Sequence, residues 1–208
     1  MSYICLILSG AALLINGLGL LGRIPLRDSG YFNILIGGTQ LVLSVLIAVT
    51  AAGNTSILLS VSGVFLFGLT YLYVGLDSLR QLGSVGLGWF CGLVALLGLA
   101  YAGSSLGTDP LLAVLWLSWA VLWALFFLVL AIGKSGLTAF TGWALILTSQ
   151  VTTTIPALLG LLGVWPTGSV PIALLAAVIV AALFILAVAL AVPSRARIAQ
   201  NEPDAVSV

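Results

Sequence analysis

The stretch L-L-A-V-L-W-L-S-W-A-V-L-W-A-L-F-F-L-V-L-A-I, residues 111–132, runs for twenty-two residues without a charge. Asp109 and Pro110 precede it, and Gly133 and Lys134 follow it. A helix rises 1.5 Å per residue, so a segment of this length crosses the ~30 Å hydrocarbon layer of a bilayer. Six other stretches read the same way. The spans fall at about 3–22, 32–51, 56–76, 86–104, 111–132, 138–163 and 171–192. Turn chemistry separates them, as in Gly22-Arg23-Ile24-Pro25, Ala52-Gly53-Asn54-Thr55 and Trp165-Pro166-Thr167-Gly168. The fold class expected is all-α: a polytopic bundle of seven membrane helices over 1–192, followed by a disordered tail over 193–208.

Composition agrees. The chain has 208 residues, of which 62% are hydrophobic and 5% charged, whereas soluble domains carry about 25% charged residues. The net charge of +1 argues against a nucleic-acid partner. With no histidine, the commonest general base and metal ligand are missing. Cys5 and Cys91 lie in different spans and read as buried apolar residues, not as a disulfide or metal site. The first segment lacks a basic flank and reads as a retained span, not as a signal peptide.

All six cationic residues lie outside the spans. Arg23 and Arg27 follow span 1, Arg80 span 3, Lys134 span 5, and Arg195 and Arg197 span 7. Loops after spans 2, 4 and 6 carry none. The positive-inside rule then sets the N-terminus outside and the C-terminus in the cytoplasm. That arrangement requires an odd number of spans, as hydropathy gives independently.

The bilayer interior therefore holds only neutral polar groups and aromatics. Span 6 carries Thr148, Ser149, Gln150, Thr152, Thr153 and Thr154, then Pro156. Proline has no N–H, so the Thr152 carbonyl loses its helical partner, which membrane depth tolerates only against protein or a wet cavity. Hydroxyl glue between helices is the plain reading of the threonines; their coincidence with the proline favours lining a path. Asn16, Asn33 and Gln40 read as packing amides. Trp116, Trp119 and Trp123 share one helix face, and the last two lie mid-span, where their N–H groups need internal acceptors. Phe67 and Tyr71 share a face of span 3.

Several letter matches carry no chemistry. Gly103-Ser104-Ser105-Leu106-Gly107 matches a hydrolase elbow without a histidine to activate it. Gly133-Lys134-Ser135 lacks the first glycine of a P-loop, because Leu128 stands there. Gly88 and Gly92 make one GxxxG, a pattern common by chance. No group of residues offers acid–base or metal chemistry, so an enzyme is not expected and no cofactor is implied.

The segment F-G-L-T-Y-L-Y-V-G-L-D, Phe67 to Asp77, resembles the third-helix motif of the AmiS/UreI family of urea and short-chain amide channels. W-L-S-W-A-V-L-W, Trp116 to Trp123, is similar to its fifth-helix motif. Asn16-Gly17, Asn33 with Gly37-Gly38, and Thr138 through Pro156 match in order and spacing, so the resemblance covers about residues 3–163. The seventh span resembles the longer, amidase-associated branch.

This resemblance implies a passive channel of the bacterial cytoplasmic membrane. It implies a homohexameric ring with one pore per protomer and lipid at the centre, together with a functional link to a cytoplasmic amidase or urease. Phe67, Tyr71, Trp119 and Trp123 would form the constriction, with Trp116 near it and Asn16, Thr148 and Thr152 along the path. Thr148 stands where family members commonly carry a pore glutamate, and the histidines of acid-gated members are absent. An ion-coupled transporter of a small neutral solute and a non-transporting membrane scaffold are the alternatives.

Overall fold

A computed structural model of the chain describes residues 2–201, with side chains as far as Pro193. Among these residues seven helices are long and apolar enough to cross a membrane. They are α1 (Ser2–Leu20), α2 (Leu26–Thr50), α3 (Thr55–Arg80), α4 (Val85–Ser105), α5 (Pro110–Leu130), α6 (Ser135–Leu161) and α7 (Val170–Asn201). In hydrocarbon each backbone polar group needs an internal partner, which a helix supplies along its length.

Helix ends are fixed by local chemistry. Asn54 caps α3, its side chain accepting from the N–H groups of Ser56 and Ile57 at 3.0 and 3.2 Å. Asp109 caps α5, accepting from Leu112 N–H at 3.1 Å, with Pro110 in the first turn. Between α3 and α4 the chain turns through left-handed conformations at Gln81, Gly83 and Ser84. Asp77 holds that turn, its two oxygens accepting from Ser84 N–H at 3.0 Å and Ser84 Oγ at 2.5 Å.

Packing closes a ring. α1 lies on α2, α2 on α3, α3 on α4, α4 on α5, α5 on α6 and α6 on α1, with α1 also touching α3; α7 sits outside, against α5 and α6. Without a hydrophobic force between helices in lipid, close backbone approach holds such contacts. Glycines allow it. A Cβ on Gly17 would lie 2.7 Å from the Gly142 carbonyl, and one on Gly88 2.5 Å from the Ala131 nitrogen. The GxxxG of Gly88 and Gly92 is therefore the close seam between α4 and α5, where Gly92 faces the Phe127 ring.

Cys5 and Cys91 are buried and unpaired. The expected disordered tail over 193–208 is corrected in part: α7 continues past its apolar stretch through Pro193 to Asn201. The side chains of Arg195 and Arg197, and the Glu202-Pro203-Asp204 segment, lie outside the described residues.

The buried stripe of α7 is Ala173, Val180, Ala187 and Ala191. Small residues let this outer helix lie close against the ring. Ala187→Leu is expected to overfill that contact and destabilise the protein by about 1–3 kcal/mol, read as a lower Tm of the purified protein in detergent. An unchanged Tm would mean that α7 contributes nothing to the fold.

Candidate functional site: two chambers and an aromatic neck

Three cavities lie in series inside the ring. The first holds about 640 Å³ and opens among the N-terminus of α1, the start of α3, the α4–α5 connection and the loop after α6. Asp109, Tyr101 and Trp165 line it, and Trp116, Phe67 and Trp119 form its floor. The second, a neck of about 20 Å³, lies below and is lined by Leu13, Asn16, Phe67, Tyr71, Trp119 and Trp123, among others. The third holds about 500 Å³ at the opposite end, among Arg27, Asp77, Ser84 and Leu130. Neighbouring cavities share walls. Phe67 and Trp119 border both the Asp109 chamber and the neck. Asn16, Val74 and Phe126 border both the neck and the Arg27 chamber.

The neck is made by aromatic interlock. Phe67 of α3 meets three indoles of α5, with centroid distances of 5.5 Å to Trp116, 5.2 Å to Trp119 and 4.7 Å to Trp123. Trp116 and Trp119 meet edge to face at 5.1 Å. The i, i+3, i+7 spacing that puts the tryptophans on one face thus stacks them along the path. Edge-to-face pairs contribute about 0.5–1.5 kcal/mol each beyond area burial. No charged side chain lines it; the charges stand in the chambers, Asp109 in one and Arg27 and Asp77 in the other.

Amides fix the opposite wall. Asn16 and Asn33 exchange side-chain hydrogen bonds, Asn16 Nδ2 donating at 3.0 Å and Asn33 Nδ2 at 2.6 Å, and Ser29 Oγ donates to Asn16 Oδ1 at 3.1 Å. Asn16 is therefore both a packing amide and a wall residue. Gln40 Nε2 donates to the Cys5 carbonyl at 2.6 Å and to Ser9 Oγ at 2.9 Å. The Tyr71 hydroxyl leans towards the Ser9 carbonyl at 3.5 Å.

The structure buries Thr148 and Thr152 within α6, with Thr152 behind Trp119. Both are fully buried, and neither borders any of the three cavities. The expectation that they line the path is corrected accordingly. Each hydroxyl donates one turn back, Thr148 to the Ala144 carbonyl at 2.7 Å and Thr152 to the Thr148 carbonyl at 2.9 Å. Thr153 does the same to Ser149. The threonine run satisfies carbonyls next to an irregular turn, which is what membrane depth demands. Thr152 also accepts Trp119 Nε1–H at 3.1 Å, supplying the internal acceptor that a mid-span indole needs. Among the described residues Trp119 is the one of the three stacked tryptophans held by a hydrogen bond.

Two participants escaped sequence reasoning. Tyr101 stacks on Trp116 at 4.4 Å and 24°, and its hydroxyl is hydrogen-bonded to Ser62 Oγ at 2.6 Å. Trp165 donates Nε1–H to Asp109 Oδ2 at 2.7 Å and packs near Tyr3, tying the loop after α6 to the chamber rim. A single tyrosine near a span end and a tryptophan beside a proline carry no periodic signal.

A sequence profile of the AmiS/UreI family transporters matches residues 1–164. A relative from Rhodococcus erythropolis, named as a transporter protein, AmiS2, is 46% identical over 165 residues, covering 78% of this chain and 80% of its own. An amidate substrates transporter protein of Mycolicibacterium smegmatis is 36% identical over 192 residues, covering 91% and 88%. Among solved structures, the crystal structure of the urea channel of Helicobacter pylori superposes with a TM-score of 0.70 at 27% identity, covering 79% of this chain and 99% of that one. Its closed state by electron cryomicroscopy gives 0.72 at 28%, covering 79% and 100%.

Proposed function

This chain belongs to the AmiS/UreI family of transporters, multi-pass proteins of the bacterial inner membrane and not enzymes, and on that premise we propose that it is a passive channel for urea or short-chain aliphatic amides. The observation that carries the proposal is the series of two chambers joined through an uncharged aromatic neck with shared walls. Phe67, Tyr71, Trp119 and Trp123 are the constriction, Trp116 guides solute onto it, and Asn16 borders the exit. By the positive-inside rule the Arg27 chamber faces the cytoplasm and the Asp109 chamber faces outward.

Urea and acetamide are flat, neutral and polar. An amide entering bare hydrocarbon loses its water hydrogen bonds at roughly 2–7 kcal/mol. A slot between ring faces admits a plane, and the Tyr71 hydroxyl and the Asn16 amide replace part of the lost hydration. Ions gain nothing in the neck that offsets their dehydration. No charged group stands at the narrow point to couple movement to an ion, so solute runs down its own gradient. The amide class is supported by the name of the Mycolicibacterium relative, whose match covers 91% of this chain, against 79% for the urea channels. The homohexamer, the lipid at its centre and the link to a cytoplasmic amidase or urease rest on the family resemblance.

Stopped-flow swelling of proteoliposomes tests this. Urea, acetamide and propionamide are expected to equilibrate faster than in protein-free vesicles, with glycerol and salt unaffected. Uptake that depends on membrane potential or a proton gradient would replace the channel with a coupled transporter; no acceleration for any amide would leave a scaffold. The rate is also expected to change by less than about twofold between external pH of about 5 and about 7.5, because the histidine that titrates there is absent. A steep acid activation would overturn that expectation.

A further inference from the structure

We propose that Thr152 is a positioning residue that fixes the orientation of Trp119 and, through it, the solute discrimination of the neck. The inference rests on the channel reading above and adds a residue that borders none of the three cavities.

A hydroxyl has one proton and two lone pairs. Thr152 places its proton on the Thr148 carbonyl at 2.9 Å, which fixes Oγ1 and leaves it an acceptor. Trp119 Nε1–H takes that acceptor at 3.1 Å. The indole is thus tied at its N–H end to α6, while the ring borders both the Asp109 chamber and the neck. Its other neighbours do not fix it this way. Phe67 at 5.2 Å and 89°, and Trp116 at 5.1 Å and 81°, meet it through edges and faces, contacts that survive a tilt of the ring.

The backbone delivers Thr152 to this place. α6 is α-helical over Thr138–Ser149, makes a π-type turn over Gln150–Thr154, and resumes over Ile155–Leu161. Within that turn the Ile155 N–H donates to the Gln150 carbonyl, one residue further back than in an α-helix. Pro156 follows, unable to donate to Thr152. Such turns insert a residue and re-aim the side chains that follow. Here the re-aimed face carries the acceptor of a buried N–H, which would otherwise be left unsatisfied. α1 packs on the π-type turn and on the stretch that follows it.

The test pairs permeation with spectroscopy. Thr152→Val keeps the shape and removes both hydrogen bonds; Thr152→Ser keeps the bonds and removes a methyl. In proteoliposomes the acetamide-to-glycerol permeability ratio is expected to fall about fivefold in Thr152→Val, the factor that matches one net hydrogen bond, and to recover in Thr152→Ser. In a Trp119→Phe background Thr152→Val is expected to change the ratio no further, since the N–H is already gone. The Trp119 indole N–H resonance is expected to shift in Thr152→Val and to hold in Thr152→Ser. An unaltered ratio in folded Thr152→Val, or equal effects of Val and Ser, overturns the proposal. If Thr152→Val does not assemble, Thr152→Cys carries the test, because a thiol is a weak acceptor and the resonance must move. Should wild-type vesicles show no amide permeation, the channel reading falls, while the resonance still decides whether Thr152 holds Trp119.

Discussion

Trp119→Ala is expected to open the neck and erase its preference for flat solutes. The indole is the wall that the Asp109 chamber and the neck have in common. Removing it frees Phe67 on one side and leaves Thr152 without its donor on the other. The acetamide-to-glycerol ratio should fall by at least about tenfold, the lower end of what a tight apolar pocket distinguishes. Truncating a buried tryptophan also costs about 3–5 kcal/mol, so permeability is to be normalised to folded protein, with Trp119→Phe as the milder companion. Unaltered rate and ratio in folded Trp119→Ala would take this residue out of the solute's route.

Gly37→Ala is expected to do the greatest harm to assembly. An added Cβ would stand 2.5 Å from the Leu72 nitrogen and 2.7 Å from the Gly68 carbonyl oxygen. Both are backbone atoms of α3, so no rotamer change relieves the clash and α2 must move away from α3. Overpacking of this kind costs about 3 kcal/mol or more, and in lipid no hydrophobic force opposes the separation. The neighbouring Gly38 is the control, for nothing stands within 4 Å of a Cβ built there. Purified Gly37→Ala should show a depressed Tm or fail to give a monodisperse peak, while Gly38→Ala behaves as wild type. Equal behaviour of the two would mean that α2 and α3 are not held by this backbone contact.

Hydropathy and charge read the seven spans because lipid imposes length and apolarity on every crossing segment. Their edges were less legible where helices outrun the hydrocarbon. α2 begins at Leu26 and takes Arg27 and Asp28 into its first turn, ahead of the apolar stretch. α3 likewise continues through Asp77 to Arg80. The aromatic interlock was visible in part, since a one-face stripe of mid-span indoles asks for partners. What it could not supply was which helix faces which. Trp119 and Thr152 are 33 residues apart, and Thr152 lies in a π-type turn that leaves no mark in residue type beyond Pro156. Tyr101 and Trp165 owe their places wholly to the closing of the ring.

The smallness of the neck has a bioenergetic consequence. A volume of about 20 Å³ holds roughly one water molecule. A file of waters therefore has no unbroken run through the protein, and a hydronium charge has nothing to hop along. Under the channel proposed here, a neutral amide crosses while the membrane keeps its electrical charge, and the rings part briefly for each molecule that passes.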